Sequence, residues 1–165
     1  MYSAIVAVDN NWGIGYNGDL LISIPDDLKN FKKLTTGHTV VMGLNTWNSL
    51  PKKPLPNRLN VVIEPLDDWY YENDTLHMDL NTFIRRFKSL DQSKETFIMG
   101  GGSIYKQLIP YCNRVYVTKI YKDFDNVDTF FPNLDETGEW VGKPIGDLLT
   151  YNDITYQYWV YNRNS

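Results

Sequence analysis

Four places along the chain set chemistry-bearing residues beside apolar ones at spacings that local structure can use. Asp27 lies next to Leu28 and four residues before Phe31, so on a helix it shares the apolar face, while Lys29, Lys32 and Lys33 fall mostly elsewhere. A carboxylate aimed at a cleft can bind a protonatable, amidine-like ring edge through paired hydrogen bonds and support proton delivery, with burial raising its pKa. The plainer role is helix-dipole stabilisation in the first turn, worth about 0.3–1 kcal/mol, which Asp26 would serve equally well. Gly100-Gly101-Gly102 follows the apolar run Phe97-Ile98-Met99 and precedes a helical segment carrying Tyr105. Strand, glycine turn and helix in that order let backbone N–H groups approach a phosphate or diphosphate, although three glycines also make a tight turn with no ligand. Val41-Met42-Gly43, leading into Thr46 and Trp47, repeats the pattern, and two such turns in one small sheet favour a dinucleotide. Arg58 follows Pro54-Leu55-Pro56-Asn57 at the start of a strand. It is either a solvated surface arginine or a guanidinium held at a cleft's rim, which suits a substrate carboxylate.

The elements that must position these residues are legible as periodicities. Residues 3–8, 39–42, 59–63 and 96–99 read as strands, the middle two rich in valine. Between them Pro25–Thr35 carries a helix signature: proline near the first position, acids at Asp26 and Asp27, and Leu28, Phe31 and Leu34 at helical spacing. Residues 81–90 and 103–109 are the next helix candidates. The alternation predicts an α/β fold with a mostly parallel sheet flanked by helices. Residues 114–121 and 155–161 are β-formers with no comparable helix between them, which predicts an antiparallel C-terminal edge. Residues 10–23 and 52–57 read as loops of functional length inside one domain spanning 1–165.

Composition narrows the function classes. With 165 residues and 42% apolar content, the chain suits one full core. The net charge of −4 comes with no basic block, which argues against nucleic acid and membrane surfaces as partners and for a small molecule. Cys112 is the only cysteine, and His38 and His77 stand apart, so the reading is a cytoplasmic protein with no metal site. The N-terminus runs straight into a strand, with no basic start or cleavage site, and no apolar run reaches membrane-spanning length.

Taken in order, seven segments resemble dihydrofolate reductase over essentially the whole chain. They are Ile5-Val6-Ala7-Val8-Asp9 with Gly13-Ile14-Gly15; residues 24–35 from Ile24-Pro25 to Leu34-Thr35; Val40-Val41-Met42-Gly43 with Thr46-Trp47 and Ser49-Leu50; Pro54-Leu55-Pro56-Asn57-Arg58; Met99-Gly100-Gly101-Gly102-Ser103-Ile104-Tyr105; Tyr116-Val117-Thr118; and Asp128-Thr129-Phe130-Phe131-Pro132. The resemblance implies reduction of 7,8-dihydrofolate to tetrahydrofolate by hydride from NADPH, in a monomer of the dihydrofolate-reductase fold. It makes Asp27 the pterin-binding acid, linked to Thr118, with Ile5, Val6, Leu28, Phe31 and Leu50 walling the substrate and Arg58 taking its tail carboxylate. It sets Ala7, Ile14, Gly15, Leu20, Gly43, Leu44, Thr46, Ser49, Glu64, Met99, Gly100, Gly101, Gly102, Ser103 and Tyr105 around the nucleotide, with a cis peptide between Gly100 and Gly101. Residues 15–24 look like the family's mobile active-site loop, which closes over the nicotinamide and excludes water.

The chain departs from the family's pattern in three places. Leu21-Ile22 stands where Pro-Trp is usual, so Ile22 lacks the indole that orders a water near the pterin, and substrate binding or rate should differ. Leu44 and Glu64 occupy the positions of a basic and a hydroxyl residue that serve the 2′-phosphate of NADPH, and Ser103 stands where a basic side chain often helps. An acid there repels phosphate yet accepts hydrogen bonds from a free ribose diol, so the preference for NADPH over NADH should weaken unless a cation such as Arg85 or Lys106 compensates. Residues 65–71, Pro65-Leu66-Asp67-Asp68-Trp69-Tyr70-Tyr71, are unusually aromatic and either stack on adenine or pack on the protein's own surface. Two other readings stand beside the main one: a reductase of another pterin-like or pyrimidine intermediate, and a catalytically silent ligand-binding or assembly module.

Overall fold

The structure, a computed structural model, describes residues 1–87 and 94–164. In chain order its elements are β1 (Tyr2–Val8), β2 (Gly13–Tyr16), β3 (Asp19–Leu20), α1 (Pro25–Thr35), β4 (Thr39–Gly43), α2 (Leu44–Ser49), β5 (Leu59–Ile63), β6 (Tyr70–Glu72), β7 (Thr75–Met78) and α3 (Leu80–Thr82), which runs into a π-helical turn, Phe83–Phe87. There follow β8 (Thr96–Ile98), α4 (Gly102–Leu108) with a 3-10 turn, Ile109–Tyr111, then β9 (Arg114–Ile120), β10 (Thr129–Phe130), β11 (Trp140–Pro144), β12 (Leu149–Tyr151) and β13 (Ile154–Arg163).

The main sheet runs β11-β13-β9-β1-β8-β4-β5-β7-β6, with β12 pairing β13. From β9 to β7 all neighbours are parallel, and the antiparallel C-terminal edge expected from residues 114–121 and 155–161 is the β9–β13 pair, to which β11 and β12, not read as strands from the sequence, add on β13. The opposite edge is also antiparallel, since β6 folds back on β7 through Asn73 and Asp74, both at positive φ. Central strands are apolar on both faces because helices cover both: Val40, Val41 and Met42 are fully buried. On one face Val40, Met42, Val62 and Phe97 pack with Phe31 and Leu34 of α1 and Trp47 of α2. On the other, Val41, Val61, Ile63 and Ile98 pack with Ile104, Tyr105 and Leu108 of α4.

Helix α1 begins at Pro25, whose fixed φ and missing N–H suit the first helical position, and ends where the Thr35 and Thr36 hydroxyls donate back to Phe31 O and Lys32 O. Residues 10–23 are more ordered than a loop. Their Asn17-Gly18 pair, at φ 53° and 81°, forms the two-residue turn of a β2–β3 hairpin, and β2 also pairs with β10. The helix expected over 81–90 begins at Leu80, where the Asp79 side chain accepts from Thr82 N, and turns π-helical at Phe83. Its last three positions lie outside the described residues. No helix among the described residues is long and apolar enough to cross a membrane.

Candidate active site

The first turn of α1 brings Asp27 against β9, where the Thr118 hydroxyl donates to Asp27 Oδ1 at 2.7 Å across 91 residues of sequence. Asp27 is half-buried, and burial raises its pKa while the Thr118 bond lowers it. Burial prevails over the Thr118 bond, and that bond ties the carboxylate to β9 rather than to its own helix. Ile5, Phe31 and Leu50 lie on the same face of the sheet, all partly buried against Val40, Met42 and Phe97. Leu28 is 53% exposed beside Asp27, an apolar side chain at the cleft mouth that a flat ligand would cover. Val6 alternates to the opposite face, buried with Ala4 and Val8, so it reaches the cleft through its backbone only.

Arg58 lies at the far end of α1 from Asp27. Its Nε donates to Pro56 O at 2.9 Å and its Nη1 to Thr35 Oγ1 at 3.0 Å, and the guanidinium lies 5.9 Å from the Phe31 ring centroid. The solvated-arginine reading therefore gives way to a positioned cation. Asp27 and Thr35 are eight residues apart on α1, or about 12 Å at 1.5 Å per residue. An acid, an aromatic wall and a guanidinium are thus strung along one helix. The sequence pointed to each end, but the Thr35 link between them emerges only on folding.

The two glycine turns meet at the carboxyl ends of β4 and β8. Gly43 N donates to Gly100 O at 2.8 Å, and the Gly100-Gly101 peptide is cis, as the resemblance implied. A Cβ on Gly101 would stand in the gap before Thr46 Oγ1, 3.7 Å away, and one on Gly43 would strike Ile104 at 2.9 Å. The backbone is therefore left bare where a diphosphate must approach closely, with the Thr46 hydroxyl beside it. These residues fit a dinucleotide. Met99 continues β8 with its N–H on Val41 O, and the Tyr105 hydroxyl donates to Ile5 O at 2.6 Å, tying α4 to the strand that carries Ile5 and Ala7. Ile14 and Gly15 are buried in β2, whereas Leu20, paired with Gly15 across the hairpin, is 67% exposed. Ile22 packs against the buried Ile24, Ile120 and Tyr156.

Glu64 follows β5, and its Oε2 lies 2.8 Å from His77 Nδ1. Tyr70 stacks on His77 at 4.5 Å and 8°, with Trp47 edge-on to the same imidazole at 5.9 Å. Tyr70 therefore packs on the protein's own surface. Leu44 is 36% exposed at the start of α2. Sequence reasoning missed His77, which faces Glu64 only because β7 pairs with β5. It also missed Tyr156 and Tyr158, whose rings lie 5.9 Å apart and whose phenols are raised by burial and by the nearby Asp26 and Asp27 carboxylates. Their period-two spacing was visible, but the register setting Tyr158 opposite Thr118 was not.

The family model for dihydrofolate reductase matches residues 1–163. Dihydrofolate reductase of Bacillus subtilis (strain 168) is 34% identical, covering all of this chain and 96% of the relative, and that of Drosophila melanogaster is 33% identical over 99% and 98%. Among solved structures, dihydrofolate reductase from Enterococcus faecalis complexed with NADP(H) and RAB-propyl superposes with a TM-score of 0.81 at 32% identity, covering all of this chain and 97% of that one.

Proposed function

The chain belongs to the dihydrofolate reductase family, and from that premise we propose that it reduces 7,8-dihydrofolate to 5,6,7,8-tetrahydrofolate with NADPH, feeding one-carbon and thymidylate metabolism. The observation that carries the reading is that α1 sets the Asp27–Thr118 pair at its start and Arg58, bonded to Thr35, at its end, with Phe31 between them. The reaction needs a hydride at C6 and a proton at N5, and the bound nicotinamide supplies the hydride. Asp27 accepts hydrogen bonds from the amidine-like edge of the pterin and polarises the ring. Thr118 holds that carboxylate in place, and water delivers the proton to N5 under Asp27's field. Ile5, Phe31, Leu50 and Leu28 cover the ring faces and exclude bulk water, while Arg58 takes the tail carboxylate. Gly43, Thr46, Ser49 and the turn from Met99 to Ser103 would hold the diphosphate; Ala7, Ile14, Gly15, Leu20 and Tyr105 would frame the nicotinamide side, and Leu44 and Glu64 the adenosine side.

One continuous ten-stranded sheet supports a single domain over 1–165 acting as a monomer, and a lone buried cysteine suits the cytoplasm. The test is loss of NADPH absorbance on adding dihydrofolate, with Asp27→Asn as control. Turnover that falls at least about a hundredfold in the control supports the assignment. Turnover that survives the control removes Asp27 from the mechanism, and none in the wild type refutes the reaction.

A further inference from the structure

Strands β4 and β8 are adjacent and parallel, yet α2 and α4, which follow them, pack on opposite faces of the sheet. The crevice between Gly43 and the Gly100–Gly102 turn is therefore a topological switch point, where open α/β sheets take their ligands. Asp27 and Thr118 lie on its β1–β9 side. On the proposed reaction, the nicotinamide must face that side, and the adenosine half then extends over the end of β5. The first side chain beyond β5 is Glu64.

Glu64 is not a loose surface acid. Its side chain is 16% exposed, its Oε2 is fixed by His77 Nδ1, and His77 is clamped between the faces and edges of Tyr70 and Trp47. The carboxylate cannot swing away from a neighbouring anion without breaking this arrangement. The turns that end β4 and β8 continue into Leu44 and Ser103, neither of them a cation. A fixed carboxylate accepts hydrogen bonds from both hydroxyls of an unmodified ribose, whereas a phosphate on the 2′-oxygen brings two anions together. The residues that fit the diphosphate thus do not fit a 2′-phosphate.

We propose that Glu64, held by His77, reads the adenosine ribose as a free diol, so that this chain binds NADH nearly as well as NADPH. The inference rests on the nicotinamide-dependent reading above, and its test is a binding measurement that does not need turnover. Calorimetric titrations compare NADPH with NADH, and adenosine 2′,5′-bisphosphate with AMP. Wild type should separate each pair by less than about tenfold, and Glu64→Gln should shift both ratios toward the phosphorylated nucleotide by about tenfold. Because the effect is coulombic, that shift should shrink in about 1 M salt, where the Debye length is about 3 Å. Leu44→Arg, a change at an exposed position, should act in the same direction as Glu64→Gln without touching the His77 clamp. A wild-type preference for the phosphorylated member above about a hundredfold overturns the proposal. So does a ratio that ignores Glu64→Gln, or selective loss of the bisphosphate in His77→Gln, which would make His77 the phosphate's cation. Absence of dihydrofolate turnover with both nucleotides bound would refute the reaction and leave the ratios standing.

Discussion

Asp27 is held where the fold would rather have a neutral group. Burial raises its pKa above that of an unfolded aspartate, so its contribution to stability is fully present below the unfolded value and is lost as pH rises through the folded one. The variant Asp27→Asn carries no such penalty. It is therefore expected to melt higher than wild type at neutral pH, each 1 kcal/mol appearing as about 2–4 °C for a chain of this size. The advantage should vanish below about pH 3.9, where an unfolded aspartate also takes its proton. Melting curves at the two pH values check both signs, and equal melting at neutral pH would show that burial is not strained by the charge. Thr118→Val removes the one bond that opposes the shift, so the pH at which substrate binding titrates should move upward. A pH profile of kcat/KM that stays put would show that Thr118 does not set Asp27's ionisation. At this scale the sequence exposed Asp27 through its helical face. Thr118, 91 positions away, was reachable only through the resemblance, because no local pattern marks the partner of a buried acid.

The hairpin of β2 and β3 is the element through which dynamics meets chemistry, since it carries Ile14 and Gly15 and leads through Ile22 into Asp27. Its tip is pinned from outside: Asn17 N donates to Asp128 Oδ2 at 3.0 Å, and Asp128 N donates to Gly15 O at 3.0 Å. The Asn17 amide and the Thr129 hydroxyl hold the Asp128 carboxyl below the usual carboxylate range. The clasp should thus persist at mildly acidic pH and open as pH falls through that depressed value. Asp128→Ala is expected to speed hydrogen exchange at the Asn17 amide and to lower turnover more than it lowers dihydrofolate affinity. Unchanged exchange would mean that the Asn17-Gly18 turn holds itself. Elements governed by local chemistry, such as α1 with Pro25 at its start or the apolar β5, were legible to the residue. The hairpin was read as loop although Asn-Gly signals a two-residue turn, because β2 and β3 are too short to show alternation. Strand β7 was missed for another reason: Thr75–Met78 is buried by its neighbours in the sheet, not by a period of its own.

Across the whole molecule, Cys112 offers a reporter remote from the acid. It is fully buried in the cluster with Leu108, Val115 and Tyr161, and burial pushes its thiol up to about 12. The C-terminal strand locks it in, since Arg163 Nε donates to Cys112 O at 2.9 Å and Nη2 to Ile109 O at 2.8 Å. A thiol reagent needs the thiolate and access, so labelling of the native protein should await an opening that undoes this packing. If residues 1–165 are one cooperative unit, that opening also dismantles the crevice at Gly43 and Gly100. Any ligand bound there then suppresses it by mass action. Nucleotide at about 100 times its Kd should slow labelling about a hundredfold, a stabilisation of about 2.7 kcal/mol. NADPH and NADH at equal concentration should protect to similar degrees if Glu64 reads the ribose as argued. Labelling that ignores saturating nucleotide would instead show that the C-terminal layer opens by itself, and that the sheet, continuous in hydrogen bonds from β11 to β6, is not continuous in stability.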